Sequence, residues 1–165
     1  VRAQQDSDYS PAQLIGRVNQ ILFEDLYQSE QFISMVYLQY IKTRQQIQFT
    51  NAGHPPPLLW RSAEKRFESL HTKDPLLGID ARSLFHEMKM VVSPGDVILL
   101  YTDGITEAAN HLGERFGEDR LKKCLQDAVV GSAQQIVDVV IETVTAFISP
   151  ELPKDDVTAF VIKVK

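Results

Sequence analysis

Residues 94–108 read PGDVILLYTDGITEA, and the arrangement of the rest of the chain depends on this stretch. A Pro-Gly-Asp turn is followed by five consecutive apolar residues, Val97–Tyr101. A strand that is apolar on both faces is covered on both faces, so this run predicts the central strand of a sheet. Asp103 follows within two residues, where rigid backbone leaves the core and holds a side chain in a fixed direction.

The segments on either side of the central strand predict further strands and helices. Their limits are a helix from Ser10-Pro11 to near Ser29, strands at 32–40, 46–50, 58–60, 64–70, 85–92 and 157–164, and helices at 118–128 and from Ser132. The last strand is apolar on both alternating faces, which predicts a second buried strand. Because short turns join successive strands, we expect mostly antiparallel sheets whose faces are covered by helices, an α+β fold.

The composition is that of one globular domain with its own core, since 44% of the 165 residues are hydrophobic. The single cysteine, Cys124, excludes an internal disulfide and a multi-cysteine zinc site, which favours the cytoplasm. No apolar run reaches the roughly 20 residues of a spanning helix, so we expect no membrane partner for this segment. With 22 acidic and 17 scattered basic residues, the net charge of −5 disfavours nucleic acid as a partner.

Two acidic dipeptides are the candidate functional positions: Asp103-Gly104 after the central strand and Asp155-Asp156 before the last strand. Each of them alone is typical of an ordinary turn. If the two strands run antiparallel, however, the end of one lies beside the start of the other, and Asp103 and Asp155 converge. Like charges held close together repel unless a cation lies between them, and Mg²⁺ or Mn²⁺ binds carboxylates and water. The pair therefore favours a metal-assisted hydrolase.

Several stretches, in order along almost the whole chain, resemble one known family. They are SPAQL at 10–14, NQIL at 19–22, QFISM at 31–35, NAGHPPPLL at 51–59, PLLG at 75–78, the stretch at 94–108, and DDVT at 155–158. The chain is similar to the bacterial metal-dependent serine/threonine protein phosphatases. These are the type 2C-like enzymes of stress-response and sporulation control, the branch of sporulation stage II protein E and the sigma-B regulators.

This resemblance implies a mostly antiparallel β-sandwich flanked by α-helices in αββα layers. It makes Asp103 and Asp155 catalytic metal ligands of a two-metal centre that uses Mn²⁺ or Mg²⁺, with Asp156 as a further metal position. Gly104 belongs to the same motif as Asp103 and is a candidate supporting position. Two further candidates rest on residue type alone: Thr102, which can assist by hydrogen bonding although small hydroxyls are common on strands, and His54, which can contact phosphate or donate a proton.

The activity that the resemblance implies is hydrolysis of phosphoserine or phosphothreonine on a regulatory protein in bacterial signalling. The substrate would be a phosphorylated protein similar to an anti-sigma-factor antagonist. An upstream sensor or receiver module would control the phosphatase.

The chain departs from the family pattern at its start. The family begins with a β-hairpin carrying an Asp-x-x-Gly-x-Gly motif, followed by a long first helix, and neither is found here. Asp6 and Asp8 lie in the polar opening without glycines at the needed spacing. We therefore expect one partial phosphatase domain over residues 1–165, with an incomplete metal centre and little activity by itself. Without the hairpin and first helix, we expect a strand edge to be uncovered, which predicts self-association as a homodimer.

A non-catalytic regulatory or interaction module on the same scaffold is the alternative function. The missing motif favours this alternative for the chain, whereas the presence of both Asp103 and Asp155 favours an enzyme. Other candidates have ordinary structural interpretations. His54 is more often a satisfied structural histidine than a proton donor, and Cys124 is a core residue. The other histidines are expected at the surface: His71, His86 and His111.

Overall fold

A computed structural model describes residues 9–165, so Asp6 and Asp8 lie outside the described range. In chain order the helices and strands are α1 (Pro11–Gln28), β1 (Met35–Ile41), β2 (Gln46–Ala52), β3 (Leu58–Arg61), β4 (Arg66–Ser69), β5 (Met88–Val91), β6 (Val97–Tyr101), α2 (Asp103–Thr106), α3 (Gly117–Ala128), α4 (Ala133–Ile148) and β7 (Ala159–Lys163). The named strands pair antiparallel throughout. The α+β class with antiparallel sheets is therefore confirmed.

These elements form two compact units. The first comprises residues 9–54 together with His71–Val92, and it holds a three-stranded sheet in the order β1-β2-β5. The second comprises Pro55–Leu70 and Ser93–Lys165, and it holds a four-stranded sheet in the order β4-β3-β6-β7. Within residues 9–165, no helix combines the length and the apolar character that crossing a membrane requires.

Helix α1 begins where the sequence predicts. The side chain of Ser10 accepts a hydrogen bond from the backbone of Gln13, whose side chain accepts one from the backbone of Ser10. This capping box satisfies two backbone donors that the first turn of a helix leaves unpaired. The buried face of α1 packs in the core of the first unit, which contains Ile15, Leu26, Ala52 and Leu77.

The strands predicted at 32–40 and 46–50 form a hairpin, in which β1 and β2 pair from Met35↔Ala52 to Ile41↔Gln46. The predicted strand at 85–92 is shorter than expected, because β5 begins at Met88. The cause is a contact outside the sheet: the backbone N–H of His86 donates to the Asp74 carboxylate at 3.0 Å. That amide is not available to a strand partner.

Strand β6 is the central strand that the sequence predicts. It lies between β3 and β7, and the side chains of Val97, Ile98 and Leu99 are fully buried. Burial, with a smaller effect of the Glu118 carboxylate, raises the pKa of Tyr101 to about 12. The hydroxyl of Tyr101 therefore stays neutral at physiological pH.

Helices α3 and α4 complete the core of the second unit together with β6. Helix α4 starts after Ser132, as predicted, with a capping box in which Ser132 and Gln135 exchange side-chain and backbone hydrogen bonds. The cluster of buried side chains that these helices share with the sheet includes Leu99, Tyr101, Leu121, Leu125, Ile136, Val140 and Val161. The helices thus bury their apolar stripes against a sheet face, as layered folds require.

The expectation that the last strand is buried on both faces is wrong. Among the described strands, β7 pairs only with β6 and so forms an edge of its sheet. Val161 is 9% exposed, whereas the neighbouring Phe160 is 60% exposed. An apolar residue on the outward face of a short edge strand produces the same sequence pattern as a covered strand.

Asp96 is a buried carboxylate in the turn that leads into β6, with an exposure of 2%. Its Oδ1 accepts a hydrogen bond from the backbone N–H of Ser62 at 2.9 Å. Its Oδ2 accepts hydrogen bonds from the backbone N–H of Ser93 at 3.0 Å and from Nη1 of Arg61 at 3.2 Å. The turn is thereby fixed to the end of β3.

Replacing Asp96 with Ala is expected to lower the free energy of unfolding by about 2–4 kcal/mol, because each buried donor that loses its acceptor costs about 1–3 kcal/mol. Urea unfolding followed by the fluorescence of the buried Trp60 measures this change. The matched control is Glu142→Ala on the exposed side of α4, which should change stability by less than about 0.5 kcal/mol. A loss below about 1 kcal/mol for Asp96→Ala would contradict this account of the turn.

Candidate metal centre at the end of strand β6

The end of β6 and the start of β7 lie side by side. The two strands pair antiparallel from Val97↔Lys163 to Tyr101↔Ala159. Asp103 follows Tyr101 by two residues, and Asp155-Asp156 comes shortly before Ala159. Both acidic segments therefore leave the sheet at the same end of the strand pair, which is the arrangement that the sequence interpretation requires.

Thr102 connects these two segments directly. Its backbone N–H donates to the carbonyl of Thr158 at 3.1 Å, which extends the strand ladder by one step. Its hydroxyl donates to the carbonyl of Asp156 at 2.6 Å and accepts from the backbone N–H of Thr158 at 3.0 Å. One residue thus binds the backbone on both sides of Val157.

Gly104 lies against the same segment. A Cβ atom at this position would be 2.4 Å from the carbonyl oxygen of Asp156 and 2.9 Å from its carbonyl carbon. Such distances are shorter than any van der Waals contact, and the atoms concerned are backbone atoms that cannot rotate away. The absence of a side chain at Gly104 is therefore what allows α2 to approach the Asp155-Asp156 segment.

The three candidate carboxylates are exposed. Asp103 is the first residue of α2, and its backbone carbonyl accepts from the N–H of Glu107 at 2.7 Å. Oδ1 of Asp155 accepts from the N–H of Asp156 at 2.7 Å. Within residues 9–165, none of the three forms an ion pair with Lys, Arg or His. No described protein cation neutralises their charge.

The donor chemistry fits part of a site for a hard divalent cation. Mg²⁺ and Mn²⁺ bind carboxylate oxygens and water, and Mg²⁺ is usually held by only one or two carboxylates. Asp103, Asp155 and Asp156 supply such oxygens. In the part of the chain that the structure describes, no group of three or more His, Cys, Asp or Glu side chains is placed to hold one ion. The described carboxylates thus fit a metal but do not complete its coordination by themselves.

A cavity of about 160 Å³ adjoins this position. Gly104 and Asp155 form part of its wall, and Ala108, Ile148 and Leu152 make much of the remainder apolar. The space beside the carboxylates can therefore admit an apolar group.

The structure also places the other residues that the sequence analysis considers, namely His54, Cys124 and the three other histidines. His54 belongs to the first unit, where its Nδ1 lies 3.2 Å from the hydroxyl of Ser34. Its backbone N–H donates to Oδ1 of Asn51 at 2.9 Å, so the residue is held in a hydrogen-bonded corner. Cys124 is buried, as expected, and the three other histidines are exposed: His71, His86 and His111.

Sequence reasoning did not find two polar arrangements. One is the bridge made by Thr102, and the other is a pair in the first unit, where Nδ1 of His86 lies 2.7 Å from the buried carboxylate of Asp74. Isolated hydroxyl and histidine residues give no signal of their own in a sequence. Thr102 itself is a candidate supporting residue in the sequence, next to Asp103, but the sequence does not indicate which groups its hydroxyl binds.

Comparison with known proteins assigns the chain to a family. The model of the Stage II sporulation protein E (SpoIIE) family matches residues 1–165, and the chain belongs to this family. Phosphoserine phosphatase RsbU of Bacillus subtilis (strain 168) is 26% identical over 155 residues, which cover 94% of this chain and 45% of RsbU. The chain therefore spans less than half the length of that relative.

Solved structures share the fold. The SiaA-PP2C domain of Pseudomonas aeruginosa superposes with a TM-score of 0.83 at 18% identity, over 94% of this chain and 61% of that one. The phosphatase domain of SpoIIE from Bacillus subtilis gives a TM-score of 0.65 at 14% identity, over 98% of this chain and 75% of that one. At these identities the likeness establishes the fold and no more.

Gly104→Ala is expected to lower the free energy of unfolding by about 1–3 kcal/mol, because the added methyl group forces the Asp155-Asp156 backbone away from α2. The displacement should also speed amide hydrogen exchange at Thr158. Gly16→Ala is the matched control, since Gly16 is also helical and its Cβ would meet only a side-chain atom of Phe85 at 3.9 Å. That control should be neutral or stabilising by up to about 1 kcal/mol. Equal effects of the two substitutions would show that the Gly104 contact is unimportant.

Proposed function

We propose that this chain carries part of the metal centre of a phosphatase that hydrolyses phosphoserine or phosphothreonine on a protein. The observation that carries this proposal is the position of Asp103 and Asp155. They lie on adjoining segments at one end of the β6–β7 pair, without described ion-pair partners, in a member of the SpoIIE family. A relative with the name phosphoserine phosphatase supports the same reaction.

In this proposal Asp103 and Asp155 hold the cation, and Asp156 is a further position for it. Bound Mn²⁺ or Mg²⁺ supplies the Lewis acidity that hydrolysis of a phosphate ester needs. The role of the protein residues is to hold and orient: the carboxylates bind through oxygen, while Thr102 and Gly104 fix the segments that carry them. His54 is retained as a candidate supporting residue because a histidine can contact phosphate or donate a proton.

The same resemblance leads us to propose a phosphorylated regulatory protein similar to an anti-sigma-factor antagonist as the substrate, and a sensor or receiver module upstream as the control. The single cysteine favours the cytoplasm as the location, and an uncovered strand edge favours a homodimer as the assembly. The cavity beside Asp155, part of whose wall is apolar, is consistent with a protein side chain as its occupant.

A non-catalytic module on the same scaffold is the second candidate function. It is favoured by one observation: the described residues place no three metal-binding side chains together. Such a module would need no divalent cation, so metal dependence separates the two functions.

Asp103→Asn in the natural protein is expected to lower phosphate release from a phosphoserine protein by at least about 100-fold. The amide keeps the shape but loses the charge that holds the cation. Removing a residue that only hydrogen-bonds to a metal ligand already lowers metal affinity or activity by about 10–100-fold, so loss of a ligand should cost at least as much. Release of phosphate is measured with Mn²⁺, with Mg²⁺ and with a chelator. The wild-type protein should be active only with a metal.

The control is Asp138→Asn on α4, an exposed residue whose carboxylate accepts from the side chain of Gln134 at 2.8 Å. It should keep wild-type activity and metal dependence. Full activity of the wild-type protein in chelator, or of Asp103→Asn with Mn²⁺, would contradict the proposal that the protein is a metal-dependent phosphatase. Absence of both turnover and Mn²⁺ binding in the wild-type protein would favour the non-catalytic module.

A further inference from the structure

We propose that Thr102 is a positioning residue, whose hydroxyl holds the Asp155-Asp156 segment at the distance from Asp103 that cation binding needs. This inference rests on the proposed function, because it concerns the same centre. The inference attributes part of the centre's affinity for its metal to one hydroxyl group.

The first observation is that both hydrogen-bonding functions of the Thr102 hydroxyl are used across the strand pair. As a donor it binds the Asp156 carbonyl at 2.6 Å, and as an acceptor it binds the Thr158 N–H at 3.0 Å. A hydroxyl group is both a donor and an acceptor, whereas the side chain of Val, with the same shape, is neither. Together with the backbone bond to Thr158, these contacts extend the ladder past the last strand residues.

The second observation excludes an ordinary helix cap. Thr102 stands at the N-cap position of α2, where Thr usually accepts a hydrogen bond from a backbone N–H of the first turn. The side chain of Thr102 makes no such bond. Its hydroxyl is directed to the neighbouring segment instead, so its role is to join two segments and not to start a helix.

The third observation is that the Asp155-Asp156 segment has few other hydrogen bonds. After Glu151, whose N–H donates to Ile148 at 2.8 Å, the chain continues through 152–157 to reach β7. Within residues 9–165, the hydrogen bonds of 152–157 are the local one between Asp156 and Asp155 and the one from Thr102. The Thr102 hydroxyl is therefore the described polar link between the Asp155-Asp156 segment and the sheet.

These contacts lead to a specific physical consequence. Like charges brought together at a metal site tend to separate when no cation lies between them, and the segment that carries Asp155 has no other described hydrogen bond to the sheet. The Thr102 bridge, meaning its bonds to Asp156 and Thr158, opposes that separation before the metal binds. Its loss should weaken metal binding and leave the chemical step at saturating metal nearly unchanged.

The test compares Thr102→Val, which keeps the shape and loses the hydroxyl, with Thr102→Ser, which keeps the hydroxyl. Calorimetric titration of the natural protein with MnCl₂ should give a Kd about 10–100-fold higher for Thr102→Val, by analogy with other outer partners of metal ligands. Thr102→Ser should stay close to the wild-type Kd. In the metal-free protein, the amide of Thr158 should exchange faster in Thr102→Val only. At saturating Mn²⁺, the kcat of Thr102→Val should return to near the wild-type value.

Two controls separate this inference from its alternatives. Thr145→Val removes a hydroxyl that donates to Ile141 within α4, so it should leave the Kd for Mn²⁺ unchanged. Asp103→Asn tests the centre itself, and if it binds Mn²⁺ as tightly as the wild type, the proposed function fails. If Asp103→Asn loses Mn²⁺ while Thr102→Val binds it normally, the positioning role of Thr102 is overturned and the function stands. Should Thr102→Val not fold, Thr102→Ala provides the same comparison with Thr102→Ser.

Discussion

The antiparallel pairing of β6 with β7 is the interaction on which the second unit and its candidate centre depend. Five residue pairs, from Val97↔Lys163 to Tyr101↔Ala159, set the register of the two strands. A slip by one residue would turn each side chain of β7 to the opposite face and bury Phe160 in place of Val161. It would also move Asp155 along the strand direction relative to Asp103, so the fold and the site share one constraint.

Contacts beyond the strands fix this register at the end away from the carboxylates. The N–H of Gly95 donates to the carbonyl of Val164, and the N–H of Val164 donates to the carbonyl of Asp96, both at 2.9 Å. Nζ of Lys163 donates to the carbonyls of Val129 at 2.8 Å and Gly131 at 2.6 Å, after the end of α3. Strand β7 is an edge strand, and these bonds, together with those of Thr102, hold it at both ends.

The sequence predicts the elements of this fold well, because their signals are local. An unbroken apolar run indicates β6, and the side chains of Ser132 and Gln135 indicate the start of α4, without knowledge of their neighbours. The covering of β7 and the start of β5 were not predictable in this way. They depend on which strands are adjacent and on the contact of His86 with Asp74, which are tertiary facts.

The same distinction applies to the candidate site. The convergence of the Asp103 and Asp155 segments follows from strand direction, and therefore from sequence. The bridge made by Thr102 joins residues 54 and 56 positions apart, and no local pattern marks such a contact. The supporting residues of a site are thus harder to find than its carboxylates.

Asp96 and Asp103 show how one residue type serves opposite purposes within the same unit. The oxygens of Asp96 accept bonds from two backbone amides and an arginine, so a cation would have to displace those donors before it could bind. Asp103 is exposed and has no ion-pair partner among residues 9–165, so its charge is available to a ligand from outside. Burial with complete pairing makes a carboxylate structural, whereas exposure beside a rigid strand makes it a candidate ligand. The stability of the unit and its proposed chemistry therefore rest on different aspartates, at opposite ends of β6.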